Sequence, residues 1–289
     1  MFGIEKEPVL KIGVVGLGLI GGSMAKAFKR CTPHIVYGCD KDAAVLNDAT
    51  GCNAIDHMVK DFDFSMCDLV FIALYPQQTV DFVKKHIGTF RPGSILMDLC
   101  GIKGYVVKSL ASLCAEHQIT YIGGHPMAGK ECWGFCGADA QLFRGASMIV
   151  TPDGDTPEEA LDLLTGLFAD IGFGTINRTT PEAHDAMIAF TSQLAHVVSS
   201  AYIKSPRAQR HDGFSAGSYK DLTRVAKLNP QMWTELFLEN SGALLEEIDT
   251  LITHIHEYRD AIAEGDSERL YKLLDHGRRI KEALDHEND

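Results

Sequence analysis

The stretch "VVGLGLIGGSMAKAF", residues 14–28, contains the glycine pattern G-x-G-x-x-G directly after an apolar run and at the start of a helical pattern. In that context the first glycine permits a tight turn, and the second lets the backbone approach a pyrophosphate. The third lets the helix pack closely on the strand, with its first N–H groups facing the phosphates. The stretch therefore predicts a dinucleotide-binding unit, with cofactor-binding residues Gly16, Gly18, Leu19, Ile20 and Gly21.

An acidic residue follows at the distance that such a unit requires. Asp40 ends the second predicted strand, about twenty residues after the glycines, where a carboxylate accepts hydrogen bonds from the adenosine ribose. A carboxylate there repels a 2′-phosphate, so Asp40 favours NAD over NADP as the cofactor. The adjacent Lys41 weakens that preference slightly, and the alternative is that Asp40 is only a solvated turn residue.

The apolar runs of the first half are nearly continuous rather than alternating. Such runs are typical of strands that are covered on both faces, as in a parallel sheet. Helical patterns separate the runs at the spacing of βαβ units. The predicted strands are residues 10–16, 34–39, 69–74, 94–99, 120–124, 147–151 and 174–178.

Two predicted helices carry clear start signals. One covers residues 155–172. Thr156 is its expected N-cap, Pro157 its first helical residue, and Glu159 completes a capping box. Thr180, which a proline follows, is expected to start the other helix.

Beyond residue 178 the pattern is helical, with apolar residues spaced by three and four. Long helices that follow an α/β domain usually pack into a bundle or associate with a second copy. The predicted fold is α/β, with a Rossmann-type parallel-sheet domain for dinucleotide binding over residues 1–178 and an all-helical dimerisation domain over residues 179–289. The helices carry more apolar surface than a small domain can cover, so we predict a homodimer built by residues after 178.

The charge of the chain argues against two classes of binding partner. The net charge is −12, with 39 acidic against 27 basic residues and no basic tract. Nucleic acid and anionic membranes are therefore poor partners. No run approaches the roughly 20 apolar residues of a membrane span. An anionic small molecule must be held by individual Arg or Lys residues.

The eight cysteines are scattered without paired spacing, which is typical of a reduced protein. Cys132 and Cys136 lie near His125, but no second pair of ligands completes a tetrahedral zinc site, so no metal is predicted. Acidic residues precede the first apolar run, so we expect no signal peptide. Together these observations favour a cytoplasmic location.

Glycines crowd the stretch "GGHPMAGKECWGF", residues 123–135, around His125. Its imidazole titrates near neutral pH, and Pro126 is expected to restrict the loop that carries it. A histidine held this firmly is a candidate general base. The glycines expected to turn the backbone sharply at the sheet edge are Gly123, Gly124 and Gly129.

Three further clusters contain polar residues in informative positions. Ser192 and His196 are four apart, so a regular helix places both on one face. Arg224 follows a glycine-rich stretch, and its alternative role is that of a structural partner for Asp221 or for a helix C-terminus. The clusters are "DLCGIK" (98–103), "TSQLAH" (191–196) and "GFSAGSYKDLTRVAKLNPQMW" (213–233).

Together these motifs resemble the prephenate dehydrogenase family, the NAD-dependent enzymes of tyrosine biosynthesis. The resemblance spans nearly the whole chain: a glycine-rich start, D-x-x-x-x-K, G-x-H-P-M-A-G-x-E, S-x-L-x-H, and K-D-x-T-R-x-A followed by P-x-M-W. The H-P-M-A-G-x-E and T-R-x-A segments are specific to this group, whereas other β-hydroxyacid-type dehydrogenases share only the first domain.

The resemblance implies a role for each motif residue. His125 would be the catalytic histidine, and Arg224 would anchor a substrate carboxylate. Ser192 and His196 would assist at the junction of cofactor and substrate, and Trp233 would lie near the site, across a dimer interface. The residues implied to bind the substrate are Arg224, His196, Ser192, Gly217, Trp233 and Lys103.

The chain departs from the family pattern at two places. Gly101 stands where the family often has a serine, in a D-x-x-S-x-K pattern, so a hydroxyl that supports the histidine and substrate is absent. Ser218 and Tyr219 stand where the family commonly shows glycine and phenylalanine, which leaves the details of the ring pocket open.

The resemblance implies NAD-dependent oxidation and decarboxylation of prephenate to 4-hydroxyphenylpyruvate. An arogenate or cyclohexadienyl dehydrogenase is the first alternative. An acidic residue near the side-chain pocket would favour arogenate, and the sequence assigns no such residue. A β-hydroxyacid dehydrogenase, a pyrroline-carboxylate-type reductase and a non-catalytic dimeric NAD-binding sensor are further alternatives. No separate tyrosine-binding domain is expected, so feedback inhibition, where it exists, would act at the active site.

Overall fold

The computed structural model describes residues 8–210, 213–214 and 216–286, and within them eight strands form one sheet in the order β3-β2-β1-β4-β5-β6-β7-β8. All seven predicted strands are present, with ends that differ by at most two residues; only the two-residue β3 lacked a sequence signal. The strands are β1 Lys11–Val15, β2 Ile35–Cys39, β3 His57–Met58, β4 Leu69–Ile72, β5 Ile95–Asp98, β6 Thr120–Pro126, β7 Ser147–Thr151 and β8 Thr175–Arg178.

Strand pairing is parallel with one exception. β6 and β7 are antiparallel, with Gly123 opposite Thr151 and Pro126 opposite Met148. The predicted Rossmann-type parallel sheet is therefore confirmed, with this one antiparallel pair, which the sequence did not indicate. The connection over residues 127–146 contains only a 3₁₀ turn, Phe135–Gly137, and no crossover helix of the kind that returns a chain to a parallel strand.

Both faces of the sheet are buried, which explains the continuous apolar runs. In β4, Leu69 and Phe71 belong to one hydrophobic cluster, and Val70 and Ile72 belong to the cluster on the opposite face. Helices cover each face, since a strand of this kind needs apolar partners on both sides. They are α1 Leu19–Cys31, α2 Ala43–Gly51, α3 Pro76–His86, α4 Gly104–Glu116 and α5 Glu158–Asp170.

The two predicted helix starts differ in outcome. Thr180 caps α6 (Pro181–Ile188), since its hydroxyl accepts a hydrogen bond from Ala183 N at 3.2 Å, as predicted. The start predicted for α5 is wrong by one residue and by mechanism. Pro157 occupies the N-cap, without a side-chain hydrogen bond, and the Thr156 hydroxyl donates to Asp153 at 2.7 Å instead.

After Arg178 every regular element that the structure describes is helical. The elements are α6, a π-helix over Ala189–Leu194, α7 Ala195–Tyr202, α8 Gly217–Thr223, α9 Pro230–Glu239, α10 Ser241–Glu264 and α11 Ser267–His286. Short 3₁₀ turns lie at Ile87–Thr89, Pro206–Arg210 and Arg224–Ala226. None of the described helices combines the length and apolarity that a membrane crossing requires.

The chain divides into two compact units, one up to Asn240 and one from Ser241 onward. The predicted domain boundary near residue 178 falls inside the first unit, between β8 and α6, and stays a prediction. The second unit consists of α10 and α11, joined by a turn in which Gly265 has a φ of +67°. Its exposed apolar side chains are Leu245, Ile252, Ile255, Ile262, Tyr271, Leu274, Ile280 and Leu284.

Candidate active site

The glycine-rich turn between β1 and α1 has the geometry of a phosphate-binding loop. Gly16 has a φ of +82°, and a Cβ there would lie 2.6 Å from Ala73 O. A Cβ on Gly21 would lie 1.9 Å from Gly16 O, so the helix can approach the strand only with glycine at this position. A Cβ on Gly18 would meet nothing within 4 Å, so this side of the loop is open to a ligand. Gly16 therefore permits the turn, Gly21 permits close packing of the helix on the strand, and Gly18 leaves space for a ligand.

The start of α1 offers backbone donors to an anion. Its N-cap residue, Gly18, provides no side-chain hydrogen bond, and no acidic residue lies in the first turn that Leu19 and Ile20 begin. Free N–H groups and the positive end of the helix dipole favour a phosphate at this position. These residues fit a dinucleotide, and their assignment as cofactor-binding residues stays a prediction.

Asp40 is tied to the same loop. One carboxylate oxygen accepts a hydrogen bond from Leu17 N at 2.7 Å, and the other accepts one from Asp42 N at 3.0 Å. The side chain is half-buried at the end of β2. Asp40 is therefore a structural partner of the glycine loop, and its contact with a ribose stays a prediction.

His125 lies within β6 rather than in a loop beyond it. Gly129 follows β6, and its expected part in a turn stays a prediction. The expectation that Gly123 and Gly124 turn the backbone is wrong, because both lie within β6. These two glycines are needed for packing instead. A Cβ on Gly123 would lie 2.3 Å from the Thr151 hydroxyl, and one on Gly124 would lie 2.8 Å from Met97 Cε. The backbone beside His125 is fixed by sheet pairing and close neighbours.

A histidine and an aspartate from α6 hold the His125 ring from behind. His125 Nδ1 lies 2.9 Å from His184 Nε2, and His184 Nδ1 lies 2.7 Å from Asp185 Oδ1. The side chain of His184 is fully buried and that of Asp185 is 10% exposed. The Asp185 carboxylate also accepts hydrogen bonds from Lys103 N and Gly104 N, each at 2.8 Å, and so caps the start of α4.

The pKa of His125 lies well below its ordinary value. Burial is the main cause, because it penalises the charged imidazolium, and the nearby His184 and Lys103 lower the pKa further. His125 is therefore a neutral imidazole near neutral pH, which is the form that accepts a proton.

Lys103 lies in a fully buried polar cluster between β5 and β6. Its ammonium donates to Asp98 Oδ1 and to Gly124 O, the latter at 2.6 Å. Tyr121 donates its hydroxyl proton to the other Asp98 oxygen at 2.6 Å, and burial followed by Asp98 raises the Tyr121 pKa well above its ordinary value. The structure does not bring Lys103 to an accessible surface, so its predicted role as a substrate ligand stays a prediction. Its contacts instead support the strand that carries His125.

Arg224 forms an ion pair with an acidic residue of the histidine motif. Its guanidinium lies 3.0 Å from Glu131 Oε1, and the two side chains are 65% and 52% exposed. The structural alternative, a pair with Asp221, is not what the structure shows. Because exposed pairs contribute little stability, this one can open at small cost. Arg224 is thus available to another anion.

His196 and Trp233 lie together next to the Arg224 segment. Their ring centroids are 3.8 Å apart, and His196 Nδ1 donates to Val225 O at 3.1 Å. Burial lowers the pKa of His196, and Arg224 lowers it further against the effect of the Val225 hydrogen bond, which raises it. Trp233 therefore packs on His196 of its own chain, and its predicted place across a dimer interface stays a prediction.

The structure locates Ser192 and Gly217 without identifying a contact for either with a site residue. Ser192 lies in the π-helix, so the regular helix assumed for Ser192 and His196 is wrong over this segment. π-helical turns are frequent at functional sites. Gly217 begins α8 and is exposed, and a Cβ there would meet nothing within 4 Å. Both assignments as substrate-binding residues stay predictions.

Sequence reasoning missed the residues that connect α6 to α9. Gln193 donates to Leu236 O at 2.9 Å, and Asn240 donates to Gln193 at 2.8 Å and to Asp185 O at 2.9 Å. His184 and Asp185 were missed as well. Polar residues that helical spacing places towards the buried face of an amphipathic helix were a signal, because such residues need a polar partner there. Apart from each other, the partners of His184 and Asp185 are 55 or more residues away along the chain, which no local pattern reveals.

Comparison with known proteins agrees with this arrangement. A model described as prephenate dehydrogenase, nucleotide-binding domain, matches residues 24–176, and one described as prephenate dehydrogenase, dimerization domain, matches residues 180–276. The chain belongs to the prephenate dehydrogenase family. It is therefore an NAD-dependent dehydrogenase with a Rossmann-type domain followed by a helical domain.

Individual relatives of this family differ in their named substrates. The chain is 32% identical to a cyclohexadienyl dehydrogenase of Zymomonas mobilis, over 96% of this chain and 97% of that one. The Aquifex aeolicus prephenate dehydrogenase, solved with hydroxyphenyl propionate and NAD⁺, is 26% identical with a TM-score of 0.86, over 97% and 100% of the chains. Synechocystis arogenate dehydrogenase is 27% identical with a TM-score of 0.81, over 95% and 100%.

Proposed function

We propose that this enzyme uses NAD to oxidise and decarboxylate prephenate, giving 4-hydroxyphenylpyruvate for tyrosine biosynthesis. The observation that carries the proposal is His125, a neutral imidazole whose Nδ1 lies 2.9 Å from His184 Nε2 and whose Nε2 lies near Gly101. Gly16, Gly18 and the start of α1 would hold NAD, which would supply the acceptor for the hydride of the ring carbon that bears the hydroxyl.

The chain's own residues would orient the substrate and move its proton. His125 Nε2 accepts the proton of the ring hydroxyl, because its lone pair is the one not engaged by His184. Arg224 gives a substrate carboxylate a bidentate partner when it leaves Glu131. His196, fixed by Trp233 and Val225 O, borders the same region. Loss of the ring carboxylate as CO₂ then leaves an aromatic ring, which drives the reaction.

The experiment is a substrate panel of prephenate and arogenate, each with NAD and with NADP, in which the absorbance of the reduced nicotinamide is followed. We expect the highest kcat/KM with prephenate and NAD. Turnover with arogenate alone would contradict the substrate assignment, and equal use of NADP would contradict the role of Asp40. Binding of NAD without turnover of either substrate would instead indicate the non-catalytic sensor.

Dual use of prephenate and arogenate is the second candidate function. It is supported by the cyclohexadienyl dehydrogenase named among the relatives and by the position of Glu131. When Arg224 turns to a substrate carboxylate, the Glu131 carboxylate is free to face an ammonium group such as that of arogenate. Comparable kcat/KM values for both substrates in the panel would favour this candidate.

We also propose a cytoplasmic homodimer built by residues after 178. The exposed apolar side chains of α10 and α11 support association with a second copy, since contiguous exposed apolar surface marks interaction sites. The eight free cysteines support a reducing compartment. Sedimentation at micromolar concentration tests the dimer, and a species of only 31.7 kDa would contradict it.

A further inference from the structure

The hydrogen bonds behind His125 determine which of its nitrogens carries the proton. Asp185 is acceptor-only when ionised, and two backbone N–H groups already donate to it. His184 must therefore donate from Nδ1 to Asp185, which leaves the Nε2 of a neutral His184 as an acceptor. That acceptor, 2.9 Å from His125 Nδ1, requires a proton on Nδ1 of His125. The lone pair of His125 is thereby placed on Nε2.

On the opposite side of the ring, no side chain among the described residues forms a hydrogen bond with Nε2. Residue 101 is glycine, and a Cβ built on it would lie 3.9 Å from His125 Nε2 and 3.6 Å from Leu236. The serine that the family often has at this position is absent here, so no hydroxyl orients Nε2. Orientation must come from the Nδ1 side.

The far end of this chain of groups is rigid. Lys103 N and Gly104 N fix both oxygens of Asp185, and the Asn240 side chain donates to the Asp185 carbonyl at 2.9 Å. His184 is fully buried, so water does not compete for its nitrogens. The carboxylate can therefore stabilise a positive charge on His184 at a distance of 2.7 Å.

We propose that His184 and Asp185 are positioning residues that fix the Nδ1–H tautomer of His125 and hold, during turnover, the proton that the substrate hydroxyl gives up. The proposal rests on the proposed role of His125 as the base. It gives α6, which carries His184 and Asp185, a part in proton transfer that the glycine loop and the motif around His125 do not supply.

The proton balance closes within one turnover. As hydride leaves the ring carbon for NAD, the hydroxyl proton bonds to His125 Nε2, and the proton on Nδ1 moves to His184 Nε2. His125 is again neutral, and the positive charge lies on His184 beside Asp185. When the bond to the ring carboxylate breaks, its electrons enter the ring, CO₂ leaves and the ring oxygen becomes a phenolate. Both protons then move back, the phenol forms, and the relay is reset.

The first experiment needs no turnover. Long-range ¹H–¹⁵N spectra of ¹⁵N-histidine-labelled wild-type enzyme distinguish protonated from unprotonated ring nitrogens, and the loss of one set of signals in His125→Asn assigns them. Near neutral pH we expect the proton of His125 on Nδ1. A proton on Nε2 in the free enzyme would overturn the proposal, even if His125→Asn is inactive and the proposed function stands.

The second experiment separates the tautomer from the relay with two variants of His184. Phe in His184→Phe has no acceptor, so both tautomers of His125 become populated, and kcat should fall within the roughly 10²–10⁴-fold range of general-base loss. Gln in His184→Gln offers a carbonyl oxygen to Nδ1–H but cannot take up a proton. It should retain the tautomer and a kcat between those of the wild type and His184→Phe. KM for prephenate should stay nearly unchanged in both.

A proton inventory of kcat in mixed H₂O and D₂O reports the relay itself. We expect a curved inventory for the wild type, with two protons in motion, and a linear one for His184→Gln. A linear inventory in the wild type, or wild-type kcat and tautomer in His184→Phe, would overturn the proposal. The exposed His117, whose ring contacts only Leu113 O among the described residues, provides the matched control His117→Gln. If His184→Phe fails to bind NAD, the wild-type spectra still test the tautomer of His125, and the proton inventory of His184→Gln still tests the relay.

Discussion

The buried and the exposed parts of the candidate site are built on opposite principles. His125, His184 and Asp185 form a chain of short hydrogen bonds in which every nitrogen but one has a partner. Arg224 and Glu131, in contrast, meet as exposed side chains in a single ion pair. Groups that move a proton benefit from fixed geometry and little water, because misplacement is costly in rate. Groups that admit a charged substrate benefit from a contact that opens at small cost.

The largest effect is expected at the buried end. His125→Asn removes the proton acceptor while keeping a polar side chain of similar size, so kcat should fall by roughly 10²–10⁴-fold. Binding of prephenate should change little, because the carboxylate anchor lies elsewhere. Stopped-flow and steady-state kinetics with NAD measure both quantities. Near-normal kcat in this variant would show that the strand merely packs well around a histidine.

The next effect concerns stability rather than rate. Lys103→Met leaves the Asp98 carboxylate buried with a tyrosine hydroxyl and a backbone N–H but no cation. Breaking a buried pair in this way costs about 3–5 kcal/mol of unfolding free energy. Urea unfolding measures the loss.

The exposed pair of Lys272 and Glu268 provides the control for Lys103→Met, since Lys272→Met should cost no more than about 0.5 kcal/mol. The double variant Asp98→Asn, Lys103→Met should recover part of the loss, because no unpaired charge remains buried. Equal stability of Lys103→Met and the wild type would show that the buried side of the site is not held by this pair.

At the exposed end, Arg224→Ala should raise KM for prephenate. Loss of the bidentate partner of a desolvated carboxylate costs about 2–5 kcal/mol of binding free energy. The residues proposed to hold NAD are those of the glycine turn, so the affinity for NAD should be unchanged. Arg91, exposed and paired with Asp68, provides the control Arg91→Ala. Equal loss of affinity for NAD and prephenate would instead indicate that Arg224 is structural.

The pH dependence of kcat/KM and of the free energy of unfolding reports on the buried end of the site, where His125 lies. Because the pKa of His125 lies below its ordinary value of 6.5, kcat/KM should stay level as the pH falls through 6.5 and decrease only at lower pH. The unfolded chain takes up this proton first, so the free energy of unfolding should decrease as the pH drops below 6.5. Activity and urea-unfolding profiles measure both. An acid limb at or above the ordinary histidine pKa would mean that His125 is not desolvated.

The sequence predicted the parts of this site that follow local rules. The G-x-G-x-x-G turn and the doubly buried strands depend on neighbours within a few residues, and they were located correctly. The antiparallel β6–β7 pair was not, because apolar runs carry no information on strand direction. The partners of His125 and Arg224 were missed because they are distant along the chain: 59 residues separate His125 from His184, and 93 separate Arg224 from Glu131. Such contacts follow from tertiary packing, in which α6 lies against α4 and the Arg224–Ala226 turn lies against α7, and not from spacing along the chain.

The smallest expected effect tests whether the exposed pair is only a competitor for the substrate. Glu131→Gln keeps the shape of the side chain but removes its charge, so Arg224 no longer has to leave an ion pair when a carboxylate arrives. An exposed pair contributes about 0–1 kcal/mol, so KM for prephenate should fall by no more than about fivefold while kcat stays unchanged. For arogenate the sign should reverse if Glu131 faces its ammonium, and the ratio of the two KM values measures this directly. A large rise in KM for prephenate would mean that Glu131 contacts that substrate, and the exposed end would then be as firmly organised as the buried one.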